Sequence, residues 1–191
     1  MDQELNPRIE EAKSGKRVLL FVDASHFVLM AYLGYFWSLA RVFLKSPSGR
    51  QRYNVLGAFN AITHELITVT NTTYINAQSI IKLINILCDK YTGSVMTLVM
   101  DNARYQRCRA VTEYAKERGV ELLFLPPYSP NLNLIERLWK YVKKECLYNK
   151  YYDTFSNFRD SINECLKTVN KRNKEISSLM TLDFQLYQNV S

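Results

Sequence analysis

The sequence predicts an α/β fold in which helices flank a mixed β-sheet. Two segments, 17–23 and 95–101, have the unbroken apolar character of central strands that are covered on both faces. Two β-rich stretches, 53–60 and 65–70, follow the first of them and predict a hairpin. Three strands therefore precede an alternation of helix, strand, helix, strand and two helices. This order is typical of a ribonuclease H-like sheet, because a doubly wound parallel sheet needs a helix after each early strand.

The remaining elements follow from helical periodicity and from turn residues. Asn76 is a good N-cap for a helix that runs through Lys90, and Gly119 is a good C-cap for the next helix. An aromatic and basic segment, 34–49, ends in a turn at 46–49. The other predicted elements are a helix at 104–118, a strand at 120–125, a proline-rich turn at 126–131, a helix that carries Glu136, and a last helix at 155–170.

Length and composition indicate one globular domain. The chain has 191 residues, of which 47% are hydrophobic and 23% are charged. We expect a lead-in at 1–16, a ribonuclease H-like domain at 17–175 and a C-terminal tail at 176–191. No apolar run approaches the roughly 18 residues of a membrane span, and the N-terminus does not have the pattern of a signal peptide. The expected location is therefore cytoplasmic, without membrane association.

The four cysteines, Cys88, Cys108, Cys146 and Cys165, are isolated in the sequence. They predict reduced thiols rather than a zinc site or a disulfide framework. The two histidines, His26 and His64, are too few for a histidine-based metal site. We interpret His26 as a strand-edge residue with a local hydrogen bond.

The formal charge of +7 is concentrated in one region. Residues 137–174 hold ten Lys or Arg against four Asp or Glu, whereas the rest of the chain holds fifteen against fourteen. This region directly follows Glu136 and suggests a polyanion such as DNA lying across the site. A solvated helix face is the more common explanation of a charge cluster taken alone.

Three carboxylates carry the functional prediction. Asp23 and Asp101 each end an apolar strand, and Glu136 lies on the helix after the proline-rich turn. Ligands gather beyond the carboxyl ends of strands in open sheets, and hard cations such as Mg²⁺ take oxygen ligands. Two such ions can activate the attacking and leaving oxygens of a phosphodiester. The alternative is that each aspartate forms a turn with its own backbone.

The predicted helix around Glu136 has two faces. Its apolar face packs into the core, and its polar face presents a carboxylate followed by ammonium groups that can bind phosphates. The alternative is an exposed helix ion pair that contributes about 0.3–0.5 kcal/mol. The apolar face consists of Leu132, Ile135, Leu138, Trp139 and Val142, and the polar face of Glu136, Lys140, Lys143 and Lys144.

Four motifs together resemble the DDE transposases of the mariner-like bacterial insertion-sequence superfamily. The resemblance runs from about Arg17 to the C-terminal helix, and the proline-rich motif is its most specific part. Thirty-four residues separate Asp101 from Glu136, which is similar to the interval in that family. The motifs are FVDASHF at 21–27, NVLGA at 54–58, VMDNA at 99–103 and LPPYSPNLNLIERLW at 125–139.

The resemblance implies that Asp23, Asp101 and Glu136 are the catalytic triad on a ribonuclease H-like fold. It implies two bound Mg²⁺ ions, with Mn²⁺ as a substitute. The implied reaction is hydrolysis at transposon ends, followed by attack of the freed 3′-hydroxyl on target DNA. We expect Lys140, Lys143 and Lys144 to contact that DNA.

Full-length members of the family carry helix-turn-helix domains before the catalytic domain, whereas some sixteen residues precede the first strand here. A separately encoded helix-turn-helix portion is therefore an expected partner, as is a second copy of the chain. Many relatives have histidine where Gln106 stands. A catalytically silent transposase fragment that binds DNA or dimerises as an inhibitor is the alternative function. A ribonuclease H or junction resolvase is a third, which the proline-rich motif disfavours.

Overall fold

The computed structural model describes residues 2–29, 39, 50–126, 133–171 and 173–180. The predicted segment at 34–49 (apart from residue 39), the proline-rich turn after Pro126 and the tail from 181 onward lie outside these residues. The described elements are α1 (Asp2–Lys13), β1 (Val18–Leu29), β2 (Gln51–Asn60), β3 (Leu66–Asn71), α2 (Ala77–Lys90), β4 (Met96–Met100), α3 (Arg109–Glu117), β5 (Val120–Phe124), α4 (Leu134–Leu147), α5 (Phe155–Val169) and α6 (Asn173–Leu179).

The five strands form one mixed sheet in the order β3-β2-β1-β4-β5. Strand β1 pairs in parallel with β4, and β4 pairs in parallel with β5. On the other side, β1, β2 and β3 pair antiparallel. The predicted hairpin and the predicted mixed sheet are therefore confirmed.

Helices cover both faces of the sheet. Alternate residues of β1 point to opposite faces, and each face has its own core cluster. Phe21 belongs to the cluster that contains residues of α1, α4, α5 and α6. Leu20 belongs to the second cluster, which contains residues of α2 and α3. The first of these clusters also contains Leu5 from the predicted lead-in and Ile176 from the predicted tail. No helix in the described part of the chain is long and apolar enough to span a membrane.

Helix ends follow the local signals where a capping residue is present. Asn76 forms a capping box with Ser79 at the start of α2, and Gly119 has a φ of +67° after α3. Helix α5 begins at Phe155 as predicted. The cysteines are free thiols, although folding brings Cys165 beside the buried Cys146, whose thiol donates a hydrogen bond to the Val142 carbonyl.

Two predicted boundaries and the number of C-terminal helices are wrong. Strand β1 continues to Leu29, so Asp23 lies within it, because antiparallel pairing with β2 persists after parallel pairing with β4 stops at Val22. Helix α3 begins at Arg109 rather than at 104, because a turn after Ala103 comes first. A further helix, α6, follows α5 and was not predicted.

Candidate active site

Asp23 and Asp101 are neighbours because β1 and β4 are adjacent parallel strands. Their last parallel pair is Val22 with Met100, so the next residue of each chain segment is one of the two aspartates. Both aspartates therefore lie where the parallel pairing of β1 with β4 stops, although β1 itself continues beyond Asp23.

Glu136 is brought to this point by the packing of α4 on the sheet. Gly57 lies directly opposite Asp23 in β2, and a Cβ atom at Gly57 would stand 2.7 Å from two ring carbons of Trp139. Only a glycine therefore lets the buried indole of Trp139 lie this close to the strands. Glu136 lies one turn before Trp139, at the start of the same helix.

A pocket of about 290 Å³ lies between β1 and α4. Asp23, Glu136, Lys140 and Lys143 line it, together with Ala24, Ser25, His26 and Trp139. Asp101 adjoins this group through Asp23, and Lys144 is exposed further along α4. The pocket thus combines two of the three predicted carboxylates with two of the three predicted DNA-binding lysines.

The electrostatics of the site show that its carboxylates interact. Burial, together with the negative charges of Asp101 and Glu136, raises the pKa of Asp23 to about 7, although the Ala24 N–H group opposes this. Burial also raises the pKa of Glu136, with Lys140 opposing and Asp101 adding to the rise. A cation in the pocket would relieve this accumulation of negative charge.

Asp101 also forms the turn that the alternative interpretation expected. Its Oδ1 accepts a hydrogen bond of 3.3 Å from the Ala103 N–H. Asn102 next to it donates from Nδ2 to the Leu125 carbonyl at 2.8 Å, which ties the loop after β4 to the end of β5. The turn fixes the Asp101 carboxylate in place, and the aspartate's turn-forming role and its role beside Asp23 are compatible.

The donor chemistry of the site suits a hard divalent cation. Asp23, Asp101 and Glu136 offer only carboxylate oxygens, which Mg²⁺ and Mn²⁺ prefer over the nitrogen and sulfur ligands of a zinc site. Within the described residues no three acidic, histidine or cysteine side chains are close enough to hold one ion together. The triad is therefore an open arrangement of ligands on three separate elements.

A hydrogen-bonded row beside the pocket escaped the sequence analysis. His26 Nδ1 lies 2.7 Å from Oδ1 of the fully buried Asn54, whose Nδ2 donates to Asn71 Oδ1 and to the Thr73 carbonyl, both at 2.9 Å. Since the carbonyl can only accept, Asn54 Oδ1 must accept from His26, so Nδ1 of the imidazole carries the proton. His26 lies inside the central strand β1 and its hydrogen bond crosses to β2, so the predicted strand-edge position and local hydrogen bond are wrong; the residue also lines the pocket.

Only the strand register reveals this row. His26, Asn54 and Asn71 are scattered in the sequence and come together because they are paired across β1, β2 and β3.

Gln106 is fully buried beside Tyr105, and its Oε1 has no hydrogen-bond partner. Gln106 stands between polar neighbours, Arg104 and Arg107 among them, so the sequence gave no signal for its burial.

Comparison with known proteins decides the family. Residues 18–159 match the family model described as DDE superfamily endonuclease, which is more than half of the chain. The chain belongs to the DDE superfamily of endonucleases. This membership confirms the superfamily that the sequence motifs indicated.

Structures of DDE-type enzymes share the fold of this chain. The Mos1 mariner paired-end complex with Mn is 13% identical, with a TM-score of 0.60 over 96% of this chain and 61% of that one. The catalytic core domain of BIV integrase is 17% identical, with a TM-score of 0.54 over 81% and 84% of the two chains. Because the sequence identities are this low, the likeness establishes the fold alone, and that fold is ribonuclease H-like.

A curated relative matches part of the chain. It is the uncharacterized protein y4pE/y4sA of Sinorhizobium fredii, which is 31% identical over 80 residues. The match covers 41% of this chain and 54% of that protein, so the chain spans about half the length of this relative.

Proposed function

We propose that this DDE domain cuts DNA at transposon ends and joins the freed 3′-hydroxyl to target DNA in a reaction that depends on divalent metal. The observation that carries the proposal is that Asp23 and Asp101 follow the last parallel pair of β1 and β4, while Glu136 lines the same pocket as Asp23 together with Lys140 and Lys143. The DDE family membership and the mariner-like fold support the same chemistry.

The three carboxylates have distinct structural duties in this proposal. Asp23 offers oxygens from within β1, Asp101 from the turn directly after β4, and Glu136 from the first turn of α4. When bound, divalent cations such as two Mg²⁺ or Mn²⁺ ions supply Lewis-acid activation of the attacking and leaving oxygens. The ammonium groups of Lys140 and Lys143 face the same pocket and hold the phosphates of the DNA strand, with Lys144 extending that contact along α4.

The proposed enzyme includes more than the catalytic domain. We assign the catalytic domain to 17–175, with the lead-in at 1–16 and the tail at 176–191. Recognition of transposon ends is assigned to a helix-turn-helix portion encoded separately, and pairing of two ends to a homodimer. These assignments rest on the mariner-like resemblance of the motifs that surround the triad.

The test is cleavage of supercoiled plasmid in Mg²⁺ or Mn²⁺ by the wild type and by Asp23→Asn, Asp101→Asn and Glu136→Gln. Each substitution keeps the shape of the side chain and removes one charged ligand oxygen. We expect a loss of at least ~100-fold, because removing a group that merely supports a metal ligand already costs roughly 10–100-fold.

Matched controls are Asp89→Asn on α2 and Glu164→Gln on α5, which remove carboxylates that do not line the pocket. Both should cut as the wild type does. Full activity in any one of the three triad variants removes that residue from the proposed triad. Wild-type activity in all three variants refutes the proposed function.

A further inference from the structure

A second and larger groove lies at the far end of β1. Its volume is about 790 Å³, and its lining includes Val28 of β1, Arg50 and Arg52 at the start of β2, Thr73 and Tyr74 after β3, and Phe155 at the start of α5. We call it the arginine groove. It is distinct from the pocket at Asp23, with which it shares no lining residue.

The two arginines of this groove are available for an anion. Both are exposed, and within the described residues neither forms an ion pair. Among the described residues that line the groove there is no carboxylate. Arg8 and Arg17, by contrast, are both paired with Glu121, so their guanidinium groups are already bound to a carboxylate of the protein.

Tyr74 adds an aromatic surface to this positive charge. Its side chain is 73% exposed, although aromatic rings are usually covered in a folded domain. The backbone that carries it is fixed, because Asn71 donates from Nδ2 to the Tyr74 carbonyl and accepts at Oδ1 from the Thr73 N–H. Arginines next to an exposed aromatic ring are typical of sites that hold nucleic-acid backbone and stack a base or sugar.

The position of the groove separates it from the catalytic pocket. Val28 lies five residues beyond Asp23 on the same strand, and Arg52 pairs with Val28. A strand rises roughly 3.3 Å per residue, so Val28 is about 17 Å from Asp23 along β1. Because alternate residues of a strand point to opposite faces, Val28 and Arg52 belong to the face of the sheet opposite to that of Asp23.

We infer that the arginine groove binds the DNA backbone at a site separate from the Asp23 pocket. Arg50 and Arg52 contact phosphates, and Tyr74 packs against a sugar or base of the same strand. That this DNA belongs to the molecule being cut rests on the proposed function, whereas DNA binding by the groove does not.

The test measures binding of a fluorescent 16-base-pair duplex without divalent metal, so that cleavage plays no part. The variants are Arg50→Gln/Arg52→Gln, the charge-preserving Arg50→Lys/Arg52→Lys, and the control Lys82→Gln/Lys116→Gln on α2 and α3. Each phosphate contact contributes about 0.9 to the slope of log affinity against log salt. The glutamine variant should lower that slope by about 1.8, whereas the lysine variant and the control should keep it.

A second arm identifies the form of DNA. The duplex is compared with one that carries an unpaired five-nucleotide tail, using the wild type, Arg50→Gln/Arg52→Gln and Tyr74→Leu. If the glutamine variant binds the plain duplex more weakly than the wild type does, the groove is assigned to duplex DNA. If both variants lose affinity only for the duplex with the unpaired tail, the groove is assigned to an unpaired strand.

The proposal is overturned if the glutamine variant and the control have the same salt slope as the wild type on both DNAs, or if the control loses as much as the glutamine variant. Plasmid cleavage by the same proteins separates the two hypotheses. A wild type that cuts DNA but shows no groove effect refutes the groove alone, and a groove effect in a protein that never cuts refutes only the proposed catalysis.

Discussion

Asp23 links the chemistry of the site to the stability of the domain. Burial and two neighbouring carboxylates raise its pKa from 3.8 to about 7. Between these pH values the folded protein holds a proton that the unfolded chain has released. The contribution of Asp23 to stability is therefore fully present below about pH 4 and is lost as the pH rises through about 7.

We predict that Asp23→Asn removes this dependence, because an amide does not titrate. A pKa raised from 3.8 to about 7 corresponds to at most roughly 4 kcal/mol, so the metal-free variant should equal or exceed the wild type in free energy of unfolding at pH 8. The measurement is urea unfolding at pH 5 and pH 8 in EDTA. Asp89→Asn, which changes an exposed aspartate, should retain the wild-type pH dependence; the same dependence in Asp23→Asn would contradict the prediction.

The packing of α4 on the sheet is the element-scale feature that sets the site. Gly57 faces the ring of Trp139 with no room for a Cβ atom, and Ile135 lies within 3.1 Å of the same position. A methyl group here must displace α4 or strain the sheet, because buried side chains are already close-packed. Any shift of α4 also moves Glu136 relative to Asp23.

Gly57→Ala should therefore destabilise the domain by about 1–3 kcal/mol and reduce plasmid cleavage. Trp139→Phe removes the ring carbons that the new methyl group meets, so the double variant Gly57→Ala/Trp139→Phe should be more stable than the sum of the two single effects. Chemical denaturation of the four proteins in this cycle measures the coupling. Strict additivity would show that the methyl group does not clash with this ring.

Elements with their own local signals are the ones that the sequence predicts well. Helix α2 has the capping residue Asn76, and α3 has a glycine of positive φ after its last residue. The start of α2 and the end of α3 were therefore recognisable in the sequence. The extension of β1 beyond Asp23 was not, because it depends on pairing with β2. The hydrogen-bonded row from His26 to Asn71 escaped prediction for the same reason, since only register places its members side by side.

The whole molecule assembles its site from three separate segments. Asp23 and Asp101 are adjacent because β1 and β4 pair, whereas Glu136 arrives only when α4 packs across β1 and β2. The sequence predicted that apolar strands present the two aspartates. The sequence also predicted that Glu136, on the helix after the proline-rich turn, joins them, and the resemblance added that the three act as a catalytic triad. The arginine groove had no such guide, since its residues come from β1, β2, the turn after β3 and α5.

A site divided among three elements should couple metal binding to the stability of the fold. In the proposed function Mg²⁺ or Mn²⁺ binds the folded protein through Asp23, Asp101 and Glu136, so the ion should raise the melting temperature by mass action. At 100 times the dissociation constant the gain is about 2.7 kcal/mol, or roughly 5–10 °C for a domain of this size. Thermal melts of wild type, Asp101→Asn and Glu164→Gln, with NaCl replacing the divalent salt at equal ionic strength, measure this gain. Wild type and Glu164→Gln should shift, and Asp101→Asn should shift far less, because one ligand is gone and the repulsion that the ion relieves is smaller. If the wild type melts at the same temperature with and without the ion, the three carboxylates do not form a metal site in the free protein, and the ligand set can form only when DNA supplies the remaining oxygens.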